Sequence, residues 1–480
     1  GMLCQHQAVL HFLALQELQL HAAGANQRLF LQFYPMYYNM GLRYRKVSQP
    51  LSMNKHTDRP RRFPMTSKKK TSACVLMCAA CSAATAQDSA TFQYIVEPFN
   101  KYPAVSANDM SPDGRWVVGS LDTNADGLGD TGYRWDRLND EFTLIPTEII
   151  GTGDDPISAV SDDGQVILGS IAGGVDGVEA TAGIWTEAGG WVSLGYLPNA
   201  GSCPSRSNGY ELSGDGTTAV GLSWDGCSGR GFVWTEETGM LELEPMANGG
   251  NRASVVSSDG SVIAGFSQGF TRTPTMWNGF TLDGELLDPT LVTGGEFQGI
   301  SDDGTILLGS WWMGGTSEEA GKIVNGVQSK IGAGALLPGW SGIPLDIADN
   351  GTIVGFDFLL GNRRSWIQPF GKGDLQLTVD FIRDLGADVV PGTRLEVLQA
   401  ISTDGKSIIG HSIGSPAFLI TLDYPCRADL TNDDSLNFLD VSAFLTAFGN
   451  QDPIADFEAD GSFNFLDVSA FLAAFGAGCP

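Results

Sequence analysis

The chain has 480 residues, 55 of them acidic and 28 basic, for a net charge of −27. Carboxylates in that excess repel phosphate backbones and anionic lipid, which argues against nucleic acid and membrane insertion. With only five histidines, His-ligated zinc sites and Ser-His or Cys-His nucleophile pairs have almost no raw material.

Residues 1–64 hold His6, His11, His21 and His56, almost no acid, and no strand rhythm. They read as translated sequence upstream of a start at Met65, or as a genuine extra segment. Met65 opens a basic run (Lys68, Lys69, Lys70), an apolar stretch from Ala73 to Ala80, and Ala84-Thr85-Ala86. That order is a secretory signal peptide over 65–86, cleaved after Ala86, and its apolar run is too short to span a bilayer. Beyond it lie 17 basic and 53 acidic side chains, near −36. Such a surface suits calcium and an extracellular or cell-surface setting, although solubility alone is the plainer reading. Cys203, Cys227, Cys426 and Cys479 remain. Cys203 and Cys227 stand equally far from Asp215, and Cys426 and Cys479 bracket the tail. Disulfides 203–227 and 426–479 are the expected pairing, one of three that four cysteines allow.

Residues 87–424 are organised around one recurring stretch. Ile300 to Ser310 (ISDDGTILLGS) reads as a strand, a tight Asp303-Gly304 turn and a second apolar strand. Seven copies occur, with turn glycines Gly114, Gly164, Gly216, Gly260, Gly304, Gly351 and Gly405, spaced by 50, 52, 44, 44, 47 and 54 residues. A third apolar strand follows each hairpin and carries Trp135, Trp185, Trp234, Trp277 and Trp366 in five copies. A fourth short strand often comes next, as in WTEAGGWVSLG (185–195). The chain is therefore expected to be mainly β: a seven-bladed β-propeller of about 48-residue repeats. Phe92 to Phe99 precedes the first repeat, and the last repeat, ending in PAFLITLD (416–423), lacks a fourth strand. The early strand is expected to supply it and close the ring. Leu375 to Leu385 has a partly helical rhythm and reads as an insertion before the last blade. The repeats resemble the extracellular HAF repeat family, whose units run serine, Asp-Gly, an apolar run and Gly, then a tryptophan strand. That family implies architecture but no defined activity.

Residues 425–480 form a second unit. Asn437 to Gly449 and Asn464 to Gly476 differ at one position in 13. An acidic loop precedes each. Asp456, Glu458, Asp460, Ser462, Asn464 and Asp467 take loop positions 1, 3, 5, 7, 9 and 12, with Gly461 at 6; Asp429, Thr431, Asp433, Ser435, Asn437 and Asp440 take the same places in the first loop, with Asp434 at 6. Alternating oxygens at this spacing suit calcium, which takes six to eight in a flexible shell. A helix follows each loop. Val441, Phe444, Leu445 and Phe448 share one face, as do Val468, Phe471, Leu472 and Phe475, so a small α-helical module is expected. These residues look like a type I dockerin, closest to the variant ending in Gly-Cys, as Gly478-Cys479 does. The resemblance implies calcium as cofactor and a cohesin-like domain, on a scaffold or cell surface, as partner. It places recognition at loop positions 10 and 11: Phe438, Leu439, Phe465 and Leu466. These are larger and more apolar than the family's usual hydroxylated pair, and packing inside the module is the other reading of them.

Two weaker constellations remain. Asp122, Asn124, Asp126 and Asp130 repeat the calcium spacing with Gly127 at position 6, but position 12 is Tyr133; a bound ion and a solvated Asx-rich loop are both open. Trp311 and Trp312 follow a hairpin strand in a Gly-rich stretch and are candidates to stack on a glycan. No catalytic residue is assigned, and His411 reads as structural. The leading expectation is a secreted, non-catalytic propeller assembled through its tail. The alternative is a carbohydrate-active enzyme, a polysaccharide hydrolase or lyase, with its site on a propeller face.

Overall fold

The computed structural model describes residues 89–423 except 126, 128, 147–156, 172–179, 199–204, 226–227, 288–293 and 314–316, together with 428–431, 435–455, 457 and 462–477 of the tail. The leader, Cys203, Cys227, Cys426, Cys479, Asp126, Asp433, Asp456, Glu458 and Asp460 lie outside the described residues.

Seven four-stranded antiparallel sheets follow one another along the chain. Their inner strands are Ala104–Met110, Ile157–Val160, Ser207–Leu212, Asn251–Val256, Gly295–Ile300, Ser341–Ile347 and Val397–Ile401 for blades 1 to 7. Blade 7 takes its outer strand from the start of the described chain: Ser89–Tyr94 pairs with Ser415–Asp423, from Ser89 opposite Asp423 to Tyr94 opposite Phe418. The ring is therefore closed by pairing the first described strand with the last strand of the propeller, as expected. Apolar side chains gather between blades. Seven clusters each straddle one pair of neighbours, the last joining Ile409, Ala417 and Leu419 of blade 7 to Val117, Tyr133 and Trp135 of blade 1.

The repeated motif is explained by its hydrogen bonds. In blade 5 the Ser301 hydroxyl donates to Asp303 Oδ1 (2.7 Å) and accepts from the Ile306 amide (2.9 Å), while Asp303 Oδ1 also accepts from the Thr305 amide (2.9 Å). Gly304 turns the chain at φ +71°, a conformation that a side chain strains. Blade 6 has Ala348 in place of the serine, and Asn350 Oδ1 still accepts from the Thr352 amide (2.9 Å).

The glycine in the second strand of each blade has a different cause. Every inner strand carries a β-bulge at the same place, between Ala107 and Asp109 in blade 1 and between Phe297 and Gly299 in blade 5. The residue before the bulge faces that glycine, as Phe297 faces Gly309. The bulge pushes the inner strand toward its neighbour, so a Cβ at Gly309 would meet the carbonyl oxygen of Glu296.

After Trp366, the fourth strand of blade 6 shrinks to Gln376–Leu377, and helix α1 (Thr378–Asp384) follows. Its buried Ile382 packs with Ala387, Val389 and Leu395 against blade 7. The tail holds helices α2 (Phe438–Gly449) and α3 (Phe465–Ala477). Asn437 caps α2 reciprocally: its side chain accepts from the Leu439 amide (2.8 Å), and Asp440 accepts from the Asn437 amide (2.9 Å). Among the described residues no helix is long and apolar enough to cross a membrane.

Candidate functional site

Three places carry chemistry. In the tail, the Phe444 and Phe471 rings stack 4.1 Å apart, and Phe457 meets both edge-on at 5.6 and 5.3 Å. Around this core the two halves repeat their hydrogen bonds. Asn437 and Asn464 donate backbone amides to Asp440 and Asp467, both at 2.9 Å, and both carboxylates are fully buried. Asp440 Oδ1 also accepts from the amide and hydroxyl of Thr431 (3.0 and 2.7 Å). Burial pushes the Asp440 carboxyl up, but the Asn437 and Thr431 bonds outweigh it and hold the pKa below its ordinary value. Asp429 lies within hydrogen-bonding reach of Asp440 and takes the Thr431 hydroxyl at 3.3 Å. Two carboxylates side by side with Thr431 form an oxygen donor set that fits a hard cation. Ser435 and Ser462 accept from the side-chain amides of Asn437 and Asn464 at 2.8 and 3.3 Å, which tightens the ends of both loops.

Phe438, Leu439, Phe465 and Leu466 stand at the first turns of α2 and α3 and are 77, 59, 78 and 58 % exposed. Packing inside the module does not account for them. Leu445 and Leu472 extend the two exposed stripes.

The other sequence candidates separate. Asp122 Oδ2 accepts from the Gly127 amide (2.9 Å), and Asp130 Oδ1 accepts from the Thr123 amide and hydroxyl (3.0 and 2.7 Å), so the described part of that loop is braced by its own carboxylates. Tyr133 is buried in blade 1. Trp311 and Trp312 do not form an exposed pair. Trp311 is fully buried edge-on against Phe297, in room left by Gly309 and Gly321, and only Trp312 reaches the surface.

The second place is on blades 4 and 5, at the strand ends away from the Asp-Gly turns. Buried Glu296 accepts from Arg272 (2.7 Å), Arg252 (3.1 Å) and Gln298 (3.0 Å). Burial raises its pKa, and the two guanidinium groups overcome that and lower it. Arg272 and Arg252 both lie over the Phe266 ring, at 4.4 and 5.0 Å. Glu318 adjoins this cluster; its burial and the charge of Glu296 push it up to about 7.

The third place lies on the propeller axis. A cavity of about 140 Å³ is lined by the bulged segments of all seven inner strands. At the turn end, backbone amides pass from blade to blade: Asp162 to Gly214 and Gly214 to Ser258, then Ser258 to Asp302, Asp349 to Thr403, and Thr403 to Pro112, all at 2.8–2.9 Å. Pro112 has no amide hydrogen to hand on to Asp162. Asp109, Glu211 and Asp346 follow the bulges of blades 1, 3 and 6. Asp109 accepts from its own Met110 amide (2.7 Å) and from Val160 of blade 2 (2.8 Å). Asp346 does the same with Ile347 and with Ile401 of blade 7, both at 2.7 Å. Burial pushes Asp109 up to about 7 against those amide bonds, and raises Glu211 and Asp346 well above the carboxylate range, with mutual repulsion adding to it. Asp302 rises to about 6 by burial and the nearby Asp162.

Sequence reasoning missed this acidic centre. One signal was present: in the aligned repeats the column holding Asp109, Glu211 and Asp346 otherwise reads Ala159, Val255, Gly299 and Ala400.

No family model matches the chain, and no curated protein matches it. Solved structures resemble it at low identity. TolB from Acinetobacter baumannii is 15 % identical, with TM-score 0.33, over 47 % of this chain and 52 % of its own. An oligogalacturonate lyase from Vibrio parahaemolyticus is 13 % identical, with TM-score 0.45, over 70 % and 97 %. A prolyl endopeptidase is 12 % identical, with TM-score 0.43, over 68 % and 50 %. The chain thus spans about half the length of that TolB. The molecule is a seven-bladed β-propeller with short C-terminal helices.

Proposed function

We propose that this chain is an exported, non-catalytic propeller of HAF-type repeats that docks through its C-terminal helix pair, a GC-type dockerin module, onto a cohesin-like domain on a scaffold or cell surface. The observation that carries this reading is the exposure of Phe438-Leu439 and Phe465-Leu466, the same apolar pair at the same turn of two helices related by the Phe444–Phe471 stack. Calcium is the proposed cofactor. Asp429, Thr431 and Asp440 hold it in the first loop, and Asp467 contributes to the second, so that metal fixes the loops from which the apolar pairs project. The leader pattern and the acidic surface support export. The test is capture of a cohesin-like partner from the extracellular fraction on the immobilised full chain, with calcium and with EDTA. Calcium-dependent capture that is lost in EDTA supports docking; calcium-independent capture, or none, refutes it.

A second reading is favoured by Glu318. A carboxyl pushed up to about 7 within reach of the Arg272 charge suits proton transfer on an anionic substrate, and Trp312 offers a stacking surface nearby in sequence. This makes an acidic polysaccharide the substrate class of the carbohydrate-active alternative. Loss of polymer from a uronate-containing polysaccharide incubated with the full chain, abolished by Glu318→Gln, would support it over binding alone.

A further inference from the structure

The axial cavity is a chamber built of acceptors. Carboxylates of Asp109, Asp162, Glu211, Asp302 and Asp346 line it from five blades, and no Lys, Arg or His does. Asn108 adds a further oxygen. It is 7 % exposed, its Nδ2 is anchored to the Ile157 carbonyl of blade 2 (2.6 Å), and its Oδ1 has no hydrogen-bond partner. An amide oxygen held in a buried wall without a donor costs free energy unless something in the chamber meets it. The space, about 140 Å³, is well beyond what a single water needs.

Two of the carboxylates are rigid. Asp109 and Asp346 each take one amide from their own strand and one from the next blade, so their remaining lone pairs point where the inter-blade packing sets them. Glu211 accepts from its own Leu212 amide (3.1 Å), with no clamp from the next blade like those on Asp109 and Asp346 among the described residues, and is the more adaptable group. Among the described residues no three His, Cys, Asp or Glu side chains stand close enough to coordinate one ion directly. An occupant therefore reaches most of these oxygens through water, as a cation that dehydrates reluctantly does.

We propose that the axial cavity is a cation site, taking a divalent ion, Mg²⁺ or Ca²⁺, that keeps part of its water shell and is held by Asp109, Glu211, Asp346 and the Asn108 amide oxygen. The ion ties blades 1, 3 and 6 together across the axis and offsets the repulsion among their carboxylates. It is separate from the ions proposed for the tail.

All eleven tryptophans lie between residues 116 and 366, so the tryptophan fluorescence melt of the full chain reports the propeller and not the tail. The melt is run at pH 8 in EDTA, then with MgCl₂ or CaCl₂ against tetramethylammonium chloride of equal ionic strength. The expected result is a rise of roughly 4 °C at a hundredfold excess over the dissociation constant. Glu211→Gln is expected to melt at or above wild type in EDTA, because a repelling charge is gone, and to lose the rise. Asp346→Asn is the second variant and is expected to lose the rise as well. The proposal is overturned if neither ion moves the wild-type transition, or if Glu211→Gln and Asp346→Asn rise as much as wild type, which would put the ion elsewhere, as in the Asp122 loop. A transition that responds to pH alone would make protons the occupants and also overturn it. Comparison of the two chlorides identifies the ion.

Discussion

Phe444 and Phe471 lie face to face, 4.1 Å apart and 3° from parallel, where the two halves of the tail meet. Each is the same residue of its repeat and each is fully buried. A module of about 50 residues has little other core to draw on. Phe444→Ala is expected to cost about 3–5 kcal/mol, enough to unfold the tail. The helical far-UV signal should fall and protease should cut beyond residue 424, while the tryptophan melt of the propeller stays in place.

The exposed apolar pairs give a binding prediction. Each half carries its own copy, so Phe438→Ser with Leu439→Ser should leave docking within a few fold of wild type, because the module can rotate half a turn and use the other pair. Adding Phe465→Ser and Leu466→Ser should reduce affinity at least a hundredfold, since burying such side chains is worth about 1.5–3 kcal/mol each. Calorimetric titration of the captured partner separates these outcomes. Abolition by the first double variant alone would mean that only one half docks.

Backbone geometry predicts unequal costs within one repeat. Ser301→Ala removes a donor to Asp303 and an acceptor for the Ile306 amide, an expected loss of about 1–2 kcal/mol. Blade 6 already tolerates alanine there. Gly309→Ala drives a methyl group into the Glu296 carbonyl and is expected to cost about 3 kcal/mol or more, at the upper end of overpacking. Urea midpoints followed by tryptophan fluorescence rank the two.

The pH dependence has a definite sign. Asp109 at about 7 and Asp302 at about 6 are raised above an unfolded value of 3.8, and Glu318 at about 7 above 4.5. The folded state therefore binds more protons between those limits. The stability they contribute is complete below pH 4 and is lost as pH rises through 6 and 7, at about 1.4 kcal/mol per pH unit for each proton retained. His411 acts the opposite way. Burial lowers it from 6.5 to about 4, so stability is gained between those values as pH rises. Below pH 6.5 the single imidazole offsets only one of the three retained protons, so the propeller melting temperature in EDTA is expected to fall from about pH 4.5 upward and to go on falling to about pH 8. A flat profile there would refute the raised carboxylates.

The sequence alone was enough for the number of blades and the turn of each hairpin. Gly304 at positive φ and a tryptophan strand after a variable loop are local events, decided by residues a few positions apart, and they recur at a period that only a ring or an array explains; that Ser301 clamps Asp303 came from the structure. The closing strand was legible for the same reason, since the last repeat is visibly one strand short. The tertiary structure decided what those local units meet. The bulge before Asp109 is invisible in the residues, yet it explains the glycine in the second strand of each blade and aims three acids, far apart along the chain, at one axis. Trp311 and Trp312 are neighbours in sequence, and only packing against Phe297 made one core and the other surface. Phe438 and Leu439 are apolar like the core beside them, but the Phe444–Phe471 stack already fills that core and leaves them outside. Periodicity reports which residues share a face; burial and electrostatic coupling depend on which faces come together, and that is settled when the ring closes.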